Sequence, residues 1–128
     1  MKTLTIGEIV ETLGFRPLTG GVGLERQVRG GYSGDLLSDV MAHAGSGSLW
    51  FTIQSHLNVV AVALLAGLAG VVMCRGVQPE ADTLRRAEQE GIPILVTEEN
   101  AFVAGGRLYQ LLAEEGQAAG PNAATNLS

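Results

Sequence analysis

The sequence has 128 residues, of which 16% are charged and 46% hydrophobic, and its formal net charge is −5. This length suits one domain with a single core, and the high apolar fraction excludes a disordered chain. Because eight basic residues stand against thirteen acidic ones, electrostatic binding to a nucleic-acid backbone lacks its usual driving force. We therefore expect no nucleic-acid partner.

The cysteine count and the longest apolar run indicate the cellular compartment of the protein. Cys74 is the only cysteine, which excludes an internal disulfide and any metal site made of several cysteines. The longest apolar run, residues 59–74, is interrupted by Gly67 and Gly70 and is shorter than the ~20 residues of a membrane-spanning helix. No basic and apolar leader opens the sequence. We therefore expect a cytoplasmic protein without membrane contact.

Lys2 is the only lysine, and it lies at the start of the sequence. A phosphate-binding P-loop, a protein kinase and a Schiff-base enzyme each need a lysine at a defined place inside the fold. These three chemistries are therefore excluded. The sequence implies no cofactor, and no spacing of histidines and acidic residues suggests a metal site.

The first segment is predicted to be a helix that is capped at both ends. Thr5 and Glu8 stand at the positions of a capping box, and Gly14 stands where such a helix ends. A short strand is predicted over residues 15–19. A weaker strand candidate covers residues 27–32, because two adjacent glycines interrupt it.

Regular alternation of helices and strands begins in the second quarter of the chain. A helix is predicted to start at Asp35, as its N-cap, and to stop at Gly45, and Pro79 suits the first position of a later helix. The elements that follow are strand 48–54, helix 56–68, strand 70–74, helix 79–90, strand 92–97 and helix 100–115. This order, with solidly apolar strands, predicts an α/β fold: a mainly parallel sheet with helices on both faces.

These elements form one predicted domain over residues 1–116, in which residues 1–34 supply the N-terminal helix and short strands. Residues 117–128 have no periodicity and are predicted to be a flexible tail.

After Asn58 the helix over residues 57–68 is apolar on every side, so it must be buried on every side. A second subunit would complete that burial, and we predict a homodimer. The alternative is a central helix covered by the same chain.

Three polar segments follow the predicted strands: residues 54–58, 75–78 and 97–100. In open parallel sheets, ligands bind beyond the carboxyl ends of the strands, where helices also begin. We place a candidate ligand site there, formed by Gln54, Ser55, His56, Asn58, Arg75 and Gly76. The amides of the helix start and the charge of Arg75 favour an anion, and Gly76 lets a ligand approach the backbone.

Four of the candidate residues also have a structural interpretation. Ser55 and Asn58 are common types of helix cap, and His56 suits a partly exposed first turn. Arg75 could form an ion pair with a glutamate of the following loop. Those glutamates would also repel an anionic ligand.

From Asp35 to about Leu112 the chain resembles the DRTGG domain family, which is similar to the N-terminal domain of HPr kinase/phosphorylase. The likeness rests on the order of strand, polar helix start, alanine-rich apolar helix, Gly-x-x-Pro turn and the run Gly-Ile-Pro-Ile-Leu. The two signatures of the family fall on residues 54–59 and 75–77, where the sequence differs from both. In place of the first signature stand Trp50, Thr52, Gln54, His56 and Asn58, as in a stand-alone subfamily.

The resemblance implies a regulatory, dimer-forming domain whose catalysis is done elsewhere, and the missing P-loop means that a kinase activity does not transfer. We therefore predict a non-catalytic, homodimeric module that senses a nucleotide or another small phosphorylated, anionic ligand. One alternative is a module for oligomerisation or for binding a protein partner. Another is a small enzyme with His56 as its general acid or base.

Overall fold

The structure is a computed structural model that describes residues 2–117. The predicted tail falls outside this range, except for its first residue, Gln117, which ends the last helix. The elements in chain order are β1 (Leu4–Thr5), α1 (Ile6–Leu13), β2 (Arg16–Pro17), β3 (Gln27–Val28), β4 (Gly30–Ser33), α2 (Leu37–His43), β5 (Ser48–Thr52), α3 (Asn58–Ala66), β6 (Gly70–Met73), α4 (Ala81–Glu90), β7 (Ile94–Val96) and α5 (Ala101–Gln117).

Five strands form the main sheet in the order β2-β7-β6-β5-β4. The neighbours from β4 to β7 run parallel, and only β2 is antiparallel to its neighbour. Helices connect the parallel strands, because a parallel neighbour can be reached only by a crossover. The prediction of a mainly parallel α/β fold is confirmed.

The segment over residues 27–32, predicted as one extended piece, consists of two strands in different sheets. β3 pairs with β1 in a separate two-stranded sheet, whereas β4 is the edge strand of the main sheet beside β5. A side chain on Gly31 would meet Leu108 at 3.2 Å and Phe51 at 3.4 Å. The glycine that weakened the strand prediction thus lets α5 pack closely against this edge.

The apolar side chains of the strands alternate between two cores, one on each face of the sheet. Leu49, Phe51, Val72 and Leu95 pack with side chains of α1 and α5 on one face. Trp50, Val71, Met73, Ile94 and Val96 pack with α2, α3 and α4 on the other. Every residue of β5, β6 and β7 is buried.

The caps of α1 form as predicted. The hydroxyl of Thr5 accepts a hydrogen bond from the amide of Glu8 at 3.1 Å, and the Glu8 carboxylate accepts one from the Thr5 amide at 2.8 Å. Gly14 ends the helix in the left-handed conformation, with φ of 81°. These local bonds need no tertiary partner, which is why the sequence pattern predicts them well.

Two predicted helix starts are wrong. α2 begins at Leu37 without a side-chain cap, and the Asp35 carboxylate instead accepts hydrogen bonds from the Thr52 hydroxyl at 2.8 Å and the Ile53 amide at 2.9 Å. The parallel pairing of β4 with β5 places these donors beside Asp35. Pro79 precedes α4 by two residues, because the loop before that helix is held to the loop after β5.

Helix α3 is not buried on every side within one chain. Leu65 is 75% exposed, and Leu57 and Leu64 are 43% and 40% exposed. The buried side chains are Val59, Val60, Val62 and Ala63. The homodimer inferred from this helix stays a prediction. Among residues 2–117, no helix combines the length and apolar character that crossing a membrane requires.

The buried thiol of Cys74 gives the fold a measurable pH dependence. Burial raises the pKa of this thiol from the ordinary value of 9.0 to about 11. Between these values the unfolded chain ionises while the folded chain does not. The free energy of unfolding should therefore fall with rising pH, by at most ~1.4 kcal/mol per pH unit.

Denaturant unfolding at a series of alkaline pH values measures this loss, with Cys74→Ala as the control that lacks the thiol. The wild type should lose more stability than the variant as the pH rises from 9 to 11. Parallel curves for the two proteins would contradict the assigned environment of Cys74.

Candidate ligand site

The carboxyl ends of the parallel strands open onto loops at one edge of the sheet, and hydrogen bonds join these loops. The carbonyl of Ser55, after β5, accepts from the Glu80 amide at 3.3 Å and from the Thr83 hydroxyl at 3.0 Å. The amide of Arg75, after β6, donates to the carbonyl of Glu99 at 2.9 Å. The three predicted segments are therefore brought to the same edge.

Gln54 is engaged within the fold. Its side-chain Nε2 donates to the carbonyl of Asp35 at 2.6 Å, and its amide donates to the hydroxyl of Thr52 at 3.1 Å. Together with the Asp35 carboxylate, these bonds fix the loop after β5 to the loop after β4. Gln54 thus shapes the edge on which the other candidate residues lie.

The start of α3 has no side-chain cap. The N-cap position belongs to Leu57, so the interpretation of Ser55 and Asn58 as caps is wrong. Within the described chain, the side chains of these two residues form no hydrogen bond. The backbone amides of residues 55–58 also donate to no acceptor among the described residues. Such a set of unpaired amides at a helix start favours a negatively charged group.

His56 forms a pair with an acidic residue at the surface. Its Nδ1 lies 2.6 Å from Oε2 of Glu80, and the two side chains are 63% and 54% exposed. His56 does not line the groove between β4 and α5 or the cleft before β5 and β6. An exposed imidazole outside a closed pocket lacks the environment that general acid–base catalysis requires, which disfavours the enzymatic alternative.

Arg75 has an unusual backbone conformation. Its φ is 57°, and among the described residues it is the only residue other than glycine with a positive φ. The alternative of an ion pair with Glu98 or Glu99 is not found among the described residues, and Glu99 instead pairs with Arg107 at 2.8 Å. The exposed side chain of Arg75 has no hydrogen bond or ion pair within residues 2–117.

Gly76 continues the same left-handed turn, with φ of 68°. Its amide donates to the carbonyl of Thr97 at 2.8 Å. A Cβ at this position would lie 2.7 Å from the Glu98 carboxylate, so only glycine fits without a shift. The Glu98 carboxylate therefore lies beside the turn that carries Arg75.

The charges at this edge are mixed. Asp35, Glu80 and Glu98 surround the candidate residues, while Arg75 supplies an unpaired positive charge. No group of three or more His, Cys, Asp or Glu side chains in the described range is arranged to hold a metal ion. A ligand at this edge would therefore present hydrogen-bond donors to the carboxylates as well as an anionic group to Arg75.

The larger of the two clefts lies elsewhere and was missed by the sequence analysis. It is a groove of about 720 Å³ between the edge strand β4 and helix α5, and none of the six predicted residues lines it. Phe102 and Tyr109, which are 88% and 62% exposed, flank a floor of glycines. The paired glycines of β4 and α5 are the sequence signal for it, but only the tertiary structure brings them together.

Comparison with known proteins identifies the family. The sequence matches the family model of the DRTGG domain over residues 8–111. The chain belongs to the DRTGG domain family. The predicted resemblance, which began at Asp35, is confirmed, and the match extends to residue 8 within α1. No curated protein matches the sequence.

A solved structure shares the fold of this DRTGG domain. It is the crystal structure of the CBS and DRTGG domains of the regulatory region of Clostridium perfringens pyrophosphatase, complexed with the activator diadenosine tetraphosphate. The TM-score is 0.63 at 14% sequence identity, and the match covers 78% of this chain and 44% of that one. The present chain thus spans less than half of the regulatory region that it matches.

Proposed function

We propose that this DRTGG domain is a non-catalytic regulatory domain of the cytoplasm that binds a nucleotide or another phosphorylated small molecule. In this proposal Arg75 and the free amides at the start of α3 contact the phosphate. Gln54 and His56 shape the site through their bonds to Asp35 and Glu80. The proposed site keeps all six predicted residues: Gln54, Ser55, His56, Asn58, Arg75 and Gly76.

The backbone of Arg75 is the observation that carries this proposal. A left-handed conformation costs a residue with a side chain ~1–2 kcal/mol, and glycine would avoid that cost. The Arg75 side chain makes no hydrogen bond or ion pair within residues 2–117 that would offset it. Strained residues of this kind concentrate at binding and catalytic sites. A ligand that pairs with the guanidinium would offset the cost of this left-handed conformation.

The mixed charge supports a nucleotide over a simple phosphate. The free amides and Arg75 suit a phosphate group, while the carboxylates of Glu80 and Glu98 can accept hydrogen bonds from ribose hydroxyls or a base amino group. The regulatory region of the pyrophosphatase, which contains the same type of domain, was crystallised with a dinucleotide activator. We include in this proposal that the domain is similar to the N-terminal domain of HPr kinase/phosphorylase.

Replacing Arg75 by glycine should separate binding from stability. Arg75→Gly relieves the left-handed strain but makes the unfolded chain more flexible, for a net gain of about 0.5–1 kcal/mol in the free energy of unfolding. The same change should weaken the binding of ATP and diadenosine tetraphosphate at least about tenfold, because a charge-assisted pair is lost. Denaturant unfolding and isothermal titration calorimetry measure the two effects.

Arg85→Gln is the matched control, since it removes an exposed arginine of α4 whose one ion-pair partner within residues 2–117 is Asp82. It should leave both affinities unchanged. If Arg75→Gly lowers stability and binding is retained, Arg75 has a structural role and the proposed site is wrong.

A homodimer formed through α3 is the second candidate role, and it is compatible with the first. The observation that favours it is the exposed row of Leu57, Leu64 and Leu65 on this helix. Large exposed apolar side chains that lie together usually mark an interaction surface. The same row would serve a different protein partner if the chain does not pair with itself.

Leu65→Glu should convert the dimer into a monomer, because a carboxylate on the exposed side of α3 would be buried without a partner. Sedimentation equilibrium measures the oligomeric state. Phe102→Glu is the control, since it places the same charge on α5, on the opposite face of the sheet. A monomeric wild type would refute the homodimer, and dissociation by the Phe102 variant alone would move the interface to the other face.

A further inference from the structure

A second cleft, of about 480 Å³, lies at the opposite edge of the sheet from the proposed ligand site. It adjoins the amino ends of β5 and β6, where Gly47 and Ala69 line it directly before the strands begin. Two arginines, Arg26 and Arg29, also line this cleft, and no acidic residue does. In a chain whose net charge is −5, this pairing of positive charges needs an explanation.

Arg26 is held in place by the fold. Its Nε donates to the carbonyl of Ala69 at 3.0 Å, and its Nη2 donates to the carbonyl of Leu68 at 2.9 Å. Both acceptors follow helix α3, so the guanidinium also satisfies carbonyl groups near the end of that helix. The remaining nitrogen, Nη1, donates to no acceptor in the part of the chain that the structure describes. The position of the charge is therefore fixed while donor capacity is left over.

Arg29 lies directly over the backbone of Gly47. The Nε of Arg29 is 2.9 Å from the place that a Cβ on Gly47 would take, and Gly47 has a φ of 81°. Any larger residue at position 47 would displace the arginine. The exposed side chain of Arg29 has no hydrogen bond or ion pair among residues 2–117. Its whole donor set is available to a ligand.

We infer that this cleft binds the phosphate group of a small phosphorylated compound between the guanidinium groups of Arg26 and Arg29. Arginine presents several donors in a fixed plane, a geometry that matches the oxygens of a phosphate. The hydroxyl of Thr3 also lines the cleft and forms no hydrogen bond within the described chain. Here no carboxylate opposes the anion, in contrast to Glu98 beside Gly76 at the other edge.

The inference does not depend on the proposed nucleotide site, and the two can be tested separately. Inorganic phosphate is titrated into the isotope-labelled protein at constant ionic strength, and the Nε–H signals of Arg26, Arg29 and Arg75 are followed by NMR. The signals of Arg26 and Arg29 should shift together and saturate. Sodium chloride at the same ionic strength should not reproduce these shifts.

Two arginine variants show at which edge of the sheet phosphate binds. Arg29→Gln should weaken phosphate binding about tenfold or more without changing the thermal midpoint, since Arg29 has no partner to lose. Arg75→Gln should leave the phosphate binding that the Arg26 and Arg29 signals report unchanged, because Arg75 lies at the opposite edge of the sheet and does not line this cleft. Arg26 is kept in both proteins because its loss would also free the carbonyls of Leu68 and Ala69.

Three outcomes would overturn the inference. Phosphate shifts that centre on Arg75 would place the anion at the carboxyl edge instead. Equal weakening by Arg29→Gln and Arg75→Gln would show a general charge effect. Saturable binding that survives Arg29→Gln would show that the cleft is not the site. Failure of nucleotides to bind at Arg75 would leave the result for Arg29 unaffected.

Discussion

Burial of β5, β6 and β7 on both faces determines where the loops next to these strands lie. Because each residue of these strands is buried, their backbone groups must be paired inside the sheet. A shift of one residue would also exchange the side chains of the two cores. The parallel register is therefore fixed, and it carries the loops after β5, β6 and β7 to one edge and the segments before β5 and β6 to the other.

The two edges differ in their chemistry. At the carboxyl edge, the loops are tied together by hydrogen bonds that Gln54 and Gly76 donate and that the Ser55 carbonyl accepts, while Arg75 has no ion pair among the described residues. At the amino edge, two arginines share a cleft that no acidic residue lines. The first edge suits a ligand with both donor and anionic groups, and the second suits a phosphate. Two separate sites on one small domain would allow a regulatory protein to respond to more than one part of a ligand, or to more than one ligand.

Local patterns in the sequence predicted local structure well. The capping box of Thr5 and Glu8, the glycine at position 14 and the alternation of apolar strands with helices depend on neighbouring residues, and all three are confirmed. The meeting of the three polar segments at one edge also followed, because parallel strands joined by helices place their carboxyl ends together. The proposed regulatory role came from the family resemblance, because composition and spacing do not contain it.

Features that depend on partners distant in sequence could not be predicted. Asp35 looked like a helix cap, but its carboxylate binds donors 17 and 18 residues away, which only the pairing of β4 with β5 brings near. The positive φ of Arg75 could not be predicted from the residue type, since glycine or asparagine would be expected in that conformation. The approach of Arg29 to Gly47 likewise arises from the packed structure. The exposed leucines of α3 show that an apolar sequence alone does not establish that a helix is buried on every side within its own chain.

Thermal unfolding of the purified protein against a panel of nucleotides and phosphorylated metabolites tests the central claim most directly. A ligand present at ~100 times its dissociation constant adds ~2.7 kcal/mol to the free energy of unfolding, which is easily measured. The proposed regulatory function requires such an increase with at least one compound class and none with the matching unphosphorylated compounds. An unchanged midpoint with every compound would contradict the proposed function, and the domain would then be interpreted as a protein-interaction domain.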